Sequence, residues 1–231
     1  LGYIGLPTSI IFARFGFEVI GVDINPKIVD TINQGEAHIV EPELNTKLKA
    51  VLKDKSFIAK TSPVEADIFI IAVPTPCVVG KNGIFNPDTS MIFKAVESIS
   101  QVLKKNNLII LESTSPVGTT EKIYQFIHKQ KGFDLEEIKY AYCPERVLPG
   151  NIFNELVNND RVIGGLTLDA TNQAMNIYAQ ICDGNLYPTN AATAELVKLT
   201  ENSFRDVNLA FANELSMICD EINIDVNELI K

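Results

Sequence analysis

The chain has 231 residues, of which 46% are hydrophobic and 21% are charged, a composition that excludes a disordered chain and predicts a full hydrophobic core. A formal net charge of −9 argues against binding to nucleic acid or to an anionic membrane surface. No apolar run approaches the length of a membrane span, and no signal-peptide pattern is visible.

Predicted strands and helices alternate over residues 1–189, which indicates an α/β fold with a doubly wound, Rossmann-type parallel sheet. The first predicted helix has Asn25 as its cap and Pro26 at its first position. Apolar runs rich in β-branched residues predict strands at 17–22, 56–60, 67–73, 108–112, 138–142 and 161–163. Amphipathic spacing predicts helices at 26–33, 88–103, 119–129 and 168–181.

Residues 191–222 contain no proline, no glycine and no turn cluster, and they predict one long helix. A helix of this length usually bridges domains or packs against a partner. We therefore place a domain boundary near Asn190, with a cofactor domain in 1–189 and the start of a central helical domain in 190–231, and we expect a homodimer through this helix. Its apolar stripe would consist of Leu196, Leu199, Val207, Phe211, Leu215 and Ile218.

The first residues fit part of the dinucleotide fingerprint G-x-G-x-x-G. Gly2 and Gly5 would be its second and third glycines, so Gly2-Tyr3-Ile4-Gly5 would bring backbone amides close to a pyrophosphate. We expect the first glycine, and the first strand of the sheet, to lie before Leu1. Asp23 ends the next predicted strand, where its carboxylate would bind the adenosine ribose and favour NAD over NADP, although a turn-capping role also explains an aspartate there.

Two later strand ends fit the same pocket. Val73-Pro74-Thr75 lies at the carboxyl end of the predicted strand 67–73, and Thr114 follows the predicted strand 108–112. Ligands collect at the carboxyl ends of parallel strands. Ordinary turn chemistry requires proline and threonine as well, so the spacing alone leaves both interpretations open.

The cysteines Cys77, Cys143, Cys182 and Cys219 are scattered, without the paired spacing of a zinc site or a disulfide framework. They predict free thiols in a reducing cytoplasm and no bound metal.

Long phrases of the sequence resemble the UDP-sugar dehydrogenases that make uronic acids. The resemblance covers essentially the whole chain and implies a two-NAD, four-electron oxidation of a sugar C6 alcohol to a carboxylate, with UDP-sugar as substrate. It also implies a product used in a bacterial surface polysaccharide. The phrases that carry it are residues 35–42 (GEAHIVEP), 112–119 (ESTSPVGT), 142–150 (YCPERVLPG), 159–165 (NDRVIGG) and 198–214 (KLTENSFRDVNLAFANE).

The resemblance also implies roles for individual residues. Lys198 and Asn202 share one helix face, four residues apart, and would stabilise an oxyanion. Glu145 would be the acid/base residue that activates water, and Thr114 would hold that water or the nicotinamide end. Further contacts to substrate are expected from Arg146 and Arg205. A solvated polar helix face and a surface carboxylate beside Arg146 are the alternatives.

Two further residues, Arg161 and Cys143, are assigned no catalytic role. Arg161 is a contact residue for substrate or a loop, or equally a member of a structural ion pair. Cys143 lies close to the predicted site but is interpreted as structural.

The sequence departs from the family pattern at two points. The family's nucleophile, a cysteine in a Gly-Gly-His-Cys phrase, and the carboxyl-terminal UDP-binding domain do not occur in these residues, so we expect this chain alone to be inactive. UDP-glucose enzymes carry a second glutamate four residues after the one that matches Glu145, where this chain has Pro149. This difference favours a UDP-N-acetylhexosamine substrate, and UDP-N-acetylmannosamine in particular.

Other functions remain open at this point. Within the family, the alternatives are a UDP-glucose or a UDP-N-acetylglucosamine 6-dehydrogenase. A 3-hydroxyacid or 6-phosphogluconate-type dehydrogenase would transfer a single hydride. A non-catalytic module that binds NAD or dimerises would explain the missing nucleophile.

Overall fold

Strands and helices alternate in a computed structural model that describes residues 1–80, 83–148 and 150–229. Its helices are α1 (Gly5–Arg14), α2 (Pro26–Asn33), α3 (Leu44–Lys53), α4 (Ser90–Ser100), α5 (Thr119–Lys131), α6 (Ile152–Asn158), α7 (Leu168–Tyr178), α8 (Ala191–Glu221) and α9 (Val226–Leu229). Its strands are β1 (Val19–Val22), β2 (Phe57–Lys60), β3 (Ile68–Ile71), β4 (Cys77–Val79), β5 (Phe85–Pro87), β6 (Leu108–Leu111), β7 (Lys139–Tyr142), β8 (Arg161–Gly165) and β9 (Leu186–Asn190).

The main sheet has the strand order β3-β6-β7-β8-β9, and β1 pairs with β2 in a separate ladder. The β3–β6, β6–β7, β8–β9 and β1–β2 pairs are all parallel, which confirms the predicted α/β fold with a parallel sheet. Strand β8 departs from this pattern because it runs antiparallel to β7. The carboxyl ends of β3, β6 and β7 therefore meet at one edge of the sheet.

Helices cover both faces of this sheet, as the doubly wound arrangement requires. All four residues of β6 are buried. Ile109 and Leu111 belong to a cluster with the helices α4 and α5, whereas Leu108 and Ile110 belong to a second cluster with α1 and α7. Since successive side chains of a strand point to opposite faces, an uninterrupted apolar run is what a doubly covered strand needs.

The predicted elements are confirmed, with boundaries that shift by a few residues. Asn25 accepts a hydrogen bond from the Lys27 amide and Pro26 begins α2, as predicted. Helix α4 is shorter than the predicted 88–103, because it begins at Ser90 and ends at Ser100. The helices α3, α6 and α9, the hairpin of β4 and β5, and the strand β9 are not predicted from the sequence.

The predicted long helix is confirmed as α8, which has 31 residues. The Asn190 side chain accepts a hydrogen bond from the Thr193 amide at the start of this helix. Its first turns are buried at Ala191, Ala194, Glu195 and Lys198, whereas Phe211 is 65% exposed. In the part of the chain that the structure describes, no helix combines the length and the apolar character needed to cross a bilayer.

Candidate active site

Two loops at the carboxyl edge of the sheet are fastened to each other. Ser113 Oγ donates a hydrogen bond to the Val73 carbonyl at 2.7 Å, and Thr75 Oγ1 donates to the Thr114 carbonyl at 2.6 Å. The structure thus brings together the residues predicted at the ends of β3 and β6. Because the Thr75 hydroxyl donates to the protein backbone, its visible role is to hold Thr114 in place.

The turn before α1 is open at Gly2 and lies close to the end of β3. A Cβ at Gly5 would lie 3.6 Å from the Ala72 Cβ, an ordinary van der Waals contact, so α1 starts close to the end of β3. A Cβ at Gly2 would find no heavy atom within 4 Å. Nearby, Asp23 accepts a hydrogen bond from the Asn25 amide at 2.9 Å, and its other oxygen lies 2.8 Å from the Leu1 nitrogen. An open backbone turn beside a strand-end carboxylate fits an NAD molecule.

Replacing Gly2 by alanine is expected to weaken NAD binding by about tenfold, roughly 1.4 kcal/mol, with little change in stability. The new methyl group would meet no protein atom, but it would occupy the space through which the backbone approaches the pyrophosphate. Titration of the full-length protein with NAD and a thermal melt measure the two effects.

The control for Gly2→Ala is Gly132→Ala. Gly132 ends α5 with φ of 72°, a conformation that costs a non-glycine residue about 1 kcal/mol, and it lies away from the site. We expect this variant to lose stability and keep its NAD affinity. An unchanged NAD affinity in Gly2→Ala would contradict the assignment of this turn to the cofactor.

Glu145 and Lys198 lie together where β7 meets the long helix. Lys198 Nζ donates to the Glu145 carbonyl at 2.5 Å and lies 3.7 Å from Glu145 Oε2. Lys198 is only 6% exposed. The Val147 amide donates to Glu145 Oε1 at 2.8 Å, which fixes the carboxylate. A buried ammonium that keeps donors available, beside a carboxylate whose side chain is 15% exposed, can stabilise a developing negative charge.

An open groove continues from this ammonium along α8, with a volume of about 540 Å³. Its walls include Arg146, Lys198, Glu201 and Arg205. Asn202, half-buried, follows Lys198 by one helical turn. Of the residues of α8 that are predicted to contact substrate, Lys198 and Arg205 therefore line one groove, and Asn202 lies next to it.

The guanidinium of Arg146 is already engaged by the protein. Its Nε donates to Glu201 Oε2 at 3.0 Å, its Nη2 lies 2.5 Å from Glu201 Oε1, and its Nη1 donates to the Asp160 carbonyl at 3.0 Å. These contacts fasten the loop after β7 to α8. A direct contact between Arg146 and a substrate stays a prediction.

Glu41 is a buried residue of this region that the sequence analysis does not single out. Its carboxylate accepts hydrogen bonds from the Tyr3 hydroxyl at 2.7 Å, the Gly150 amide at 3.0 Å and the Ile152 amide at 2.9 Å. Burial alone would raise the pKa of Glu41, but the hydrogen bonds from Ile152, Tyr3 and Gly150 hold that pKa below its ordinary value. Glu41 thereby joins the predicted cofactor turn to the start of α6.

Arg161 lies in the core below the site. It is 4% exposed, its Nη2 donates to the Leu156 carbonyl at 2.9 Å, and its guanidinium lies 4.8 Å from the centre of the Tyr178 ring. Tyr178 in turn donates to Glu112 Oε1 at 2.6 Å. These contacts favour a structural role for Arg161 over a contact with substrate, although they are made to a backbone carbonyl and a tyrosine ring and not to a carboxylate.

Cys143 belongs to the same buried cluster. Arg161 Nη1 lies 3.9 Å from its sulfur, yet burial raises the pKa of the Cys143 thiol to about 12. A thiol with so high a pKa is protonated at neutral pH and is a poor nucleophile. The structure therefore supports the interpretation of Cys143 as structural.

Comparisons with protein families match the chain in two segments. Residues 1–182 match the NAD binding domain of the UDP-glucose/GDP-mannose dehydrogenase family. Residues 192–231 match the central domain of the same family.

Curated relatives carry N-acetylhexosamine names. The chain is 52% identical, over its whole length and 58% of the relative, to the UDP-N-acetyl-D-mannosamine dehydrogenase of Campylobacter jejuni. It is 51% identical, over its whole length and 55% of the relative, to the NDP-N-acetyl-D-galactosaminuronic acid dehydrogenase of Ralstonia nicotianae. The chain thus spans little more than half the length of these relatives.

Solved structures share the fold. A UDP-D-ManNAc dehydrogenase from Pyrococcus horikoshii matches with a TM-score of 0.94 and 41% identity, over 100% of this chain and 55% of that one. A UDP-glucose dehydrogenase from Pyrobaculum islandicum matches with a TM-score of 0.88 and 26% identity, over 99% of this chain and 53% of that one. Because a family model matches more than half of its residues, the chain belongs to the UDP-glucose/GDP-mannose dehydrogenase family, whose first domain binds NAD.

Proposed function

We propose that the full-length protein oxidises the C6 hydroxyl of a UDP-N-acetylhexosamine, UDP-N-acetylmannosamine, to the uronic acid, with reduction of two NAD. The observation that carries this proposal is the buried Lys198 ammonium, 2.5 Å from the Glu145 carbonyl at the carboxyl edge of the sheet. The relatives support an N-acetylated sugar, since one is named for N-acetyl-D-mannosamine and the other for N-acetyl-D-galactosaminuronic acid.

NAD, when bound, supplies the hydride acceptor. Gly2, Tyr3, Ile4 and Gly5 would hold its pyrophosphate, and Asp23 its ribose. The loops of Val73, Pro74 and Thr75 and of Thr114 would position its reactive end. These assignments rest on the open turn at Gly2 and on the hydrogen bonds that fasten the two loops.

The remaining site residues would act on the sugar. Lys198 and Asn202 would donate to an oxyanion, a role that is strongest for a charge held out of water. Glu145 would take a proton from the attacking water. Arg205 and Arg146 would place positive charge along the groove near the diphosphate. We propose that the nucleophilic cysteine lies in the rest of the protein, since none of the four cysteines in this sequence stands in the family's Gly-Gly-His-Cys phrase and burial raises the pKa of Cys143.

The full-length protein, incubated with NAD and each UDP-sugar, tests this function. UDP-N-acetylmannosamine should reduce two NAD per sugar, and UDP-N-acetylglucosamine and UDP-glucose should react more slowly. One NAD reduced per sugar would indicate a single hydride transfer, and no reduction with any sugar would indicate a binding module. Pro149, which favours an N-acetyl substrate in the sequence, lies outside the described residues.

We further propose that residues 1–189 form the cofactor domain, that 190–231 begin the central helical domain, and that α8 forms a homodimer. Exposure of the long apolar stripe of α8 to water is unfavourable, so the same helix of a second copy of the protein would cover it. The protein would work in the cytoplasm, where its free cysteines stay reduced, and would supply a surface polysaccharide. The exposed apolar side chains of α8 include Leu196, Val207, Phe211, Met217 and Ile218.

Replacing Phe211 by glutamate is expected to weaken the dimer by at least tenfold, since the new charge would be buried between two helices. Analytical ultracentrifugation of the full-length protein measures the dissociation constant. Asn213→Glu adds the same charge on the opposite side of α8 and should leave the dimer intact. Equal dissociation constants for the two variants would refute an interface centred on Phe211.

A further inference from the structure

Glu195 is a fully buried carboxylate of α8 that the proposed chemistry does not use. Its Oε2 accepts a hydrogen bond from the Gly118 amide at 2.5 Å. Its Oε1 accepts from the Thr120 amide at 2.8 Å and from the Thr120 hydroxyl at 2.7 Å. Both oxygens of the side chain are therefore satisfied by donors at the start of α5.

These donors explain why a carboxylate is tolerated in the core. The first amides of a helix have no partner within the helix, and they carry a partial positive charge. Helix α5 begins after Gly118, which provides no side chain to cap it. Glu195 supplies the missing cap from another helix, and charge-assisted hydrogen bonds of this kind are stronger than neutral ones.

The same carboxylate fixes the segment that carries Thr114. One end of the segment 113–120 is held by Ser113 and by the hydrogen bond from Thr75 to the Thr114 carbonyl. The other end is held by Glu195. Thr114 therefore lies in a loop that is fastened on both sides, once to the end of β3 and once to α8.

Lys198 follows Glu195 by three residues, so the two side chains lie on the same face of α8. Both are buried, and each docks a different point of the helix onto the carboxyl edge: Glu195 onto α5 and Lys198 onto Glu145. A helix is stiff over one turn. The hydrogen bonds of Glu195 therefore fix, at Lys198, both the rotation of α8 about its axis and its position along that axis.

We propose that Glu195 is a positioning residue, which sets the place of the Lys198 ammonium relative to Glu145 and Thr114. This inference rests on the proposed function of Lys198. A buried apolar residue would stabilise the same contact without the cost of desolvating a carboxylate. An apolar contact is not directional, whereas hydrogen bonds to Glu195 fix the orientation of α8. Orientation matters because an error of about 1 Å in the placement of a catalytic group lowers turnover by as much as about 10²-fold.

Glu195→Gln in the full-length protein tests the proposal. The variant keeps the shape of the side chain, but its NH₂ group would face a donor at Gly118 or Thr120. We expect kcat to fall by about 10- to 100-fold with the KM for NAD unchanged. Glu121→Gln is the matched control, since Glu121 lies in the first turn of α5 but is exposed, and its kcat should equal that of the wild type.

A double mutant separates positioning from stability alone. If Glu195 acts through Lys198, Glu195→Gln should lower kcat no further once Lys198 is methionine. If Glu195 only stabilises the fold, the fold-decrease in kcat caused by Glu195→Gln should multiply with the fold-decrease caused by Lys198→Met. Should Glu195→Gln fail to fold, Thr120→Val removes one of the three donors with little change in shape. That variant should lower kcat about threefold, and only while Lys198 is present.

The outcomes for the two proposals differ. Suppose that the wild type is active. The positioning role alone is then overturned if Glu195→Gln keeps the wild-type kcat, or if the fold-losses in kcat of Glu195→Gln and Lys198→Met multiply in the double mutant. A wild type that reduces no NAD with any UDP-sugar overturns the proposed function together with the role of Glu195 that rests on it.

Discussion

Replacing Lys198 by methionine is expected to lower the kcat of the full-length protein by about 10²- to 10³-fold, the usual loss when one donor to an oxyanion is removed. Lys198 is 6% exposed, so most of its side chain is shielded from water although the residue lines an open groove. There, a charge interacts more strongly than it does in water. Methionine keeps a long, flexible side chain in the same space but offers no charge and no donor.

The fold should survive this substitution. Replacing a whole buried ion pair by apolar side chains is often neutral, whereas removing one partner destabilises the fold because the other charge is left unpaired. Lys198→Met removes the hydrogen bond to the Glu145 carbonyl and also the ammonium 3.7 Å from the Glu145 carboxylate, which keeps its hydrogen bond from the Val147 amide. The melting temperature should therefore fall, but the variant should still fold and retain its NAD affinity.

The measurement is kcat with saturating NAD and UDP-sugar, and Lys122→Met is the matched control. Lys122 is an exposed lysine on α5, away from the groove, and we expect no change in its kcat. Turnover at the wild-type rate in Lys198→Met, with Lys122→Met also unchanged, would remove Lys198 from the proposed site.

Local patterns in the sequence predict the elements that position the site. The apolar run at β6, the cap and proline of α2, and the uninterrupted stretch of α8 each depend on neighbouring residues, so they can be identified without tertiary information. The strand β9 is different because it contains Pro188, which argues against a strand. The structure accommodates Pro188 because β9 lies at the edge of the sheet, beside β8 alone.

Helix α3 shows a different limit of prediction from the sequence, the absence of a start signal. Leu44, Leu48 and Val51 are buried at helical spacing. However, the residue before the helix is Glu43, which has a left-handed φ of 61° and no side-chain cap, so the usual start signal is missing. The periodicity of Leu44, Leu48 and Val51 is compatible with a helix, but without a cap signal the sequence does not show where the helix begins.

The site itself is harder to predict, since its contacts join residues far apart in the chain. Lys198 contacts Glu145 across 53 positions, and Glu195 contacts Thr120 across 75. Resemblance to a family suggested the first pair. Nothing local suggested Glu195 or Glu41, because a carboxylate that accepts from backbone amides of a distant element leaves no spacing pattern in the sequence.

Replacing Gly164 by alanine is expected to lower the free energy of unfolding by about 3 kcal/mol or more, the upper range for a side chain forced into a filled space. A Cβ at Gly164 would lie 2.2 Å from the Asn190 carbonyl oxygen, 2.4 Å from the Asn190 carbonyl carbon and 2.8 Å from the Ala191 nitrogen. These are backbone atoms at the start of α8, so no change of rotamer can make room.

A loss of this size corresponds to a fall of roughly 6–12 °C in the melting temperature of a domain of this length. Gly2→Ala is the control, because the same methyl group there meets no protein atom and the melt should not change. A Gly164→Ala variant that melts within about 2 °C of the wild type would show that α8 can move away from β8 at little cost. The strand and the helix start would then not be fixed to each other, and the alignment of Glu195 and Lys198 with the sheet would lose its structural basis.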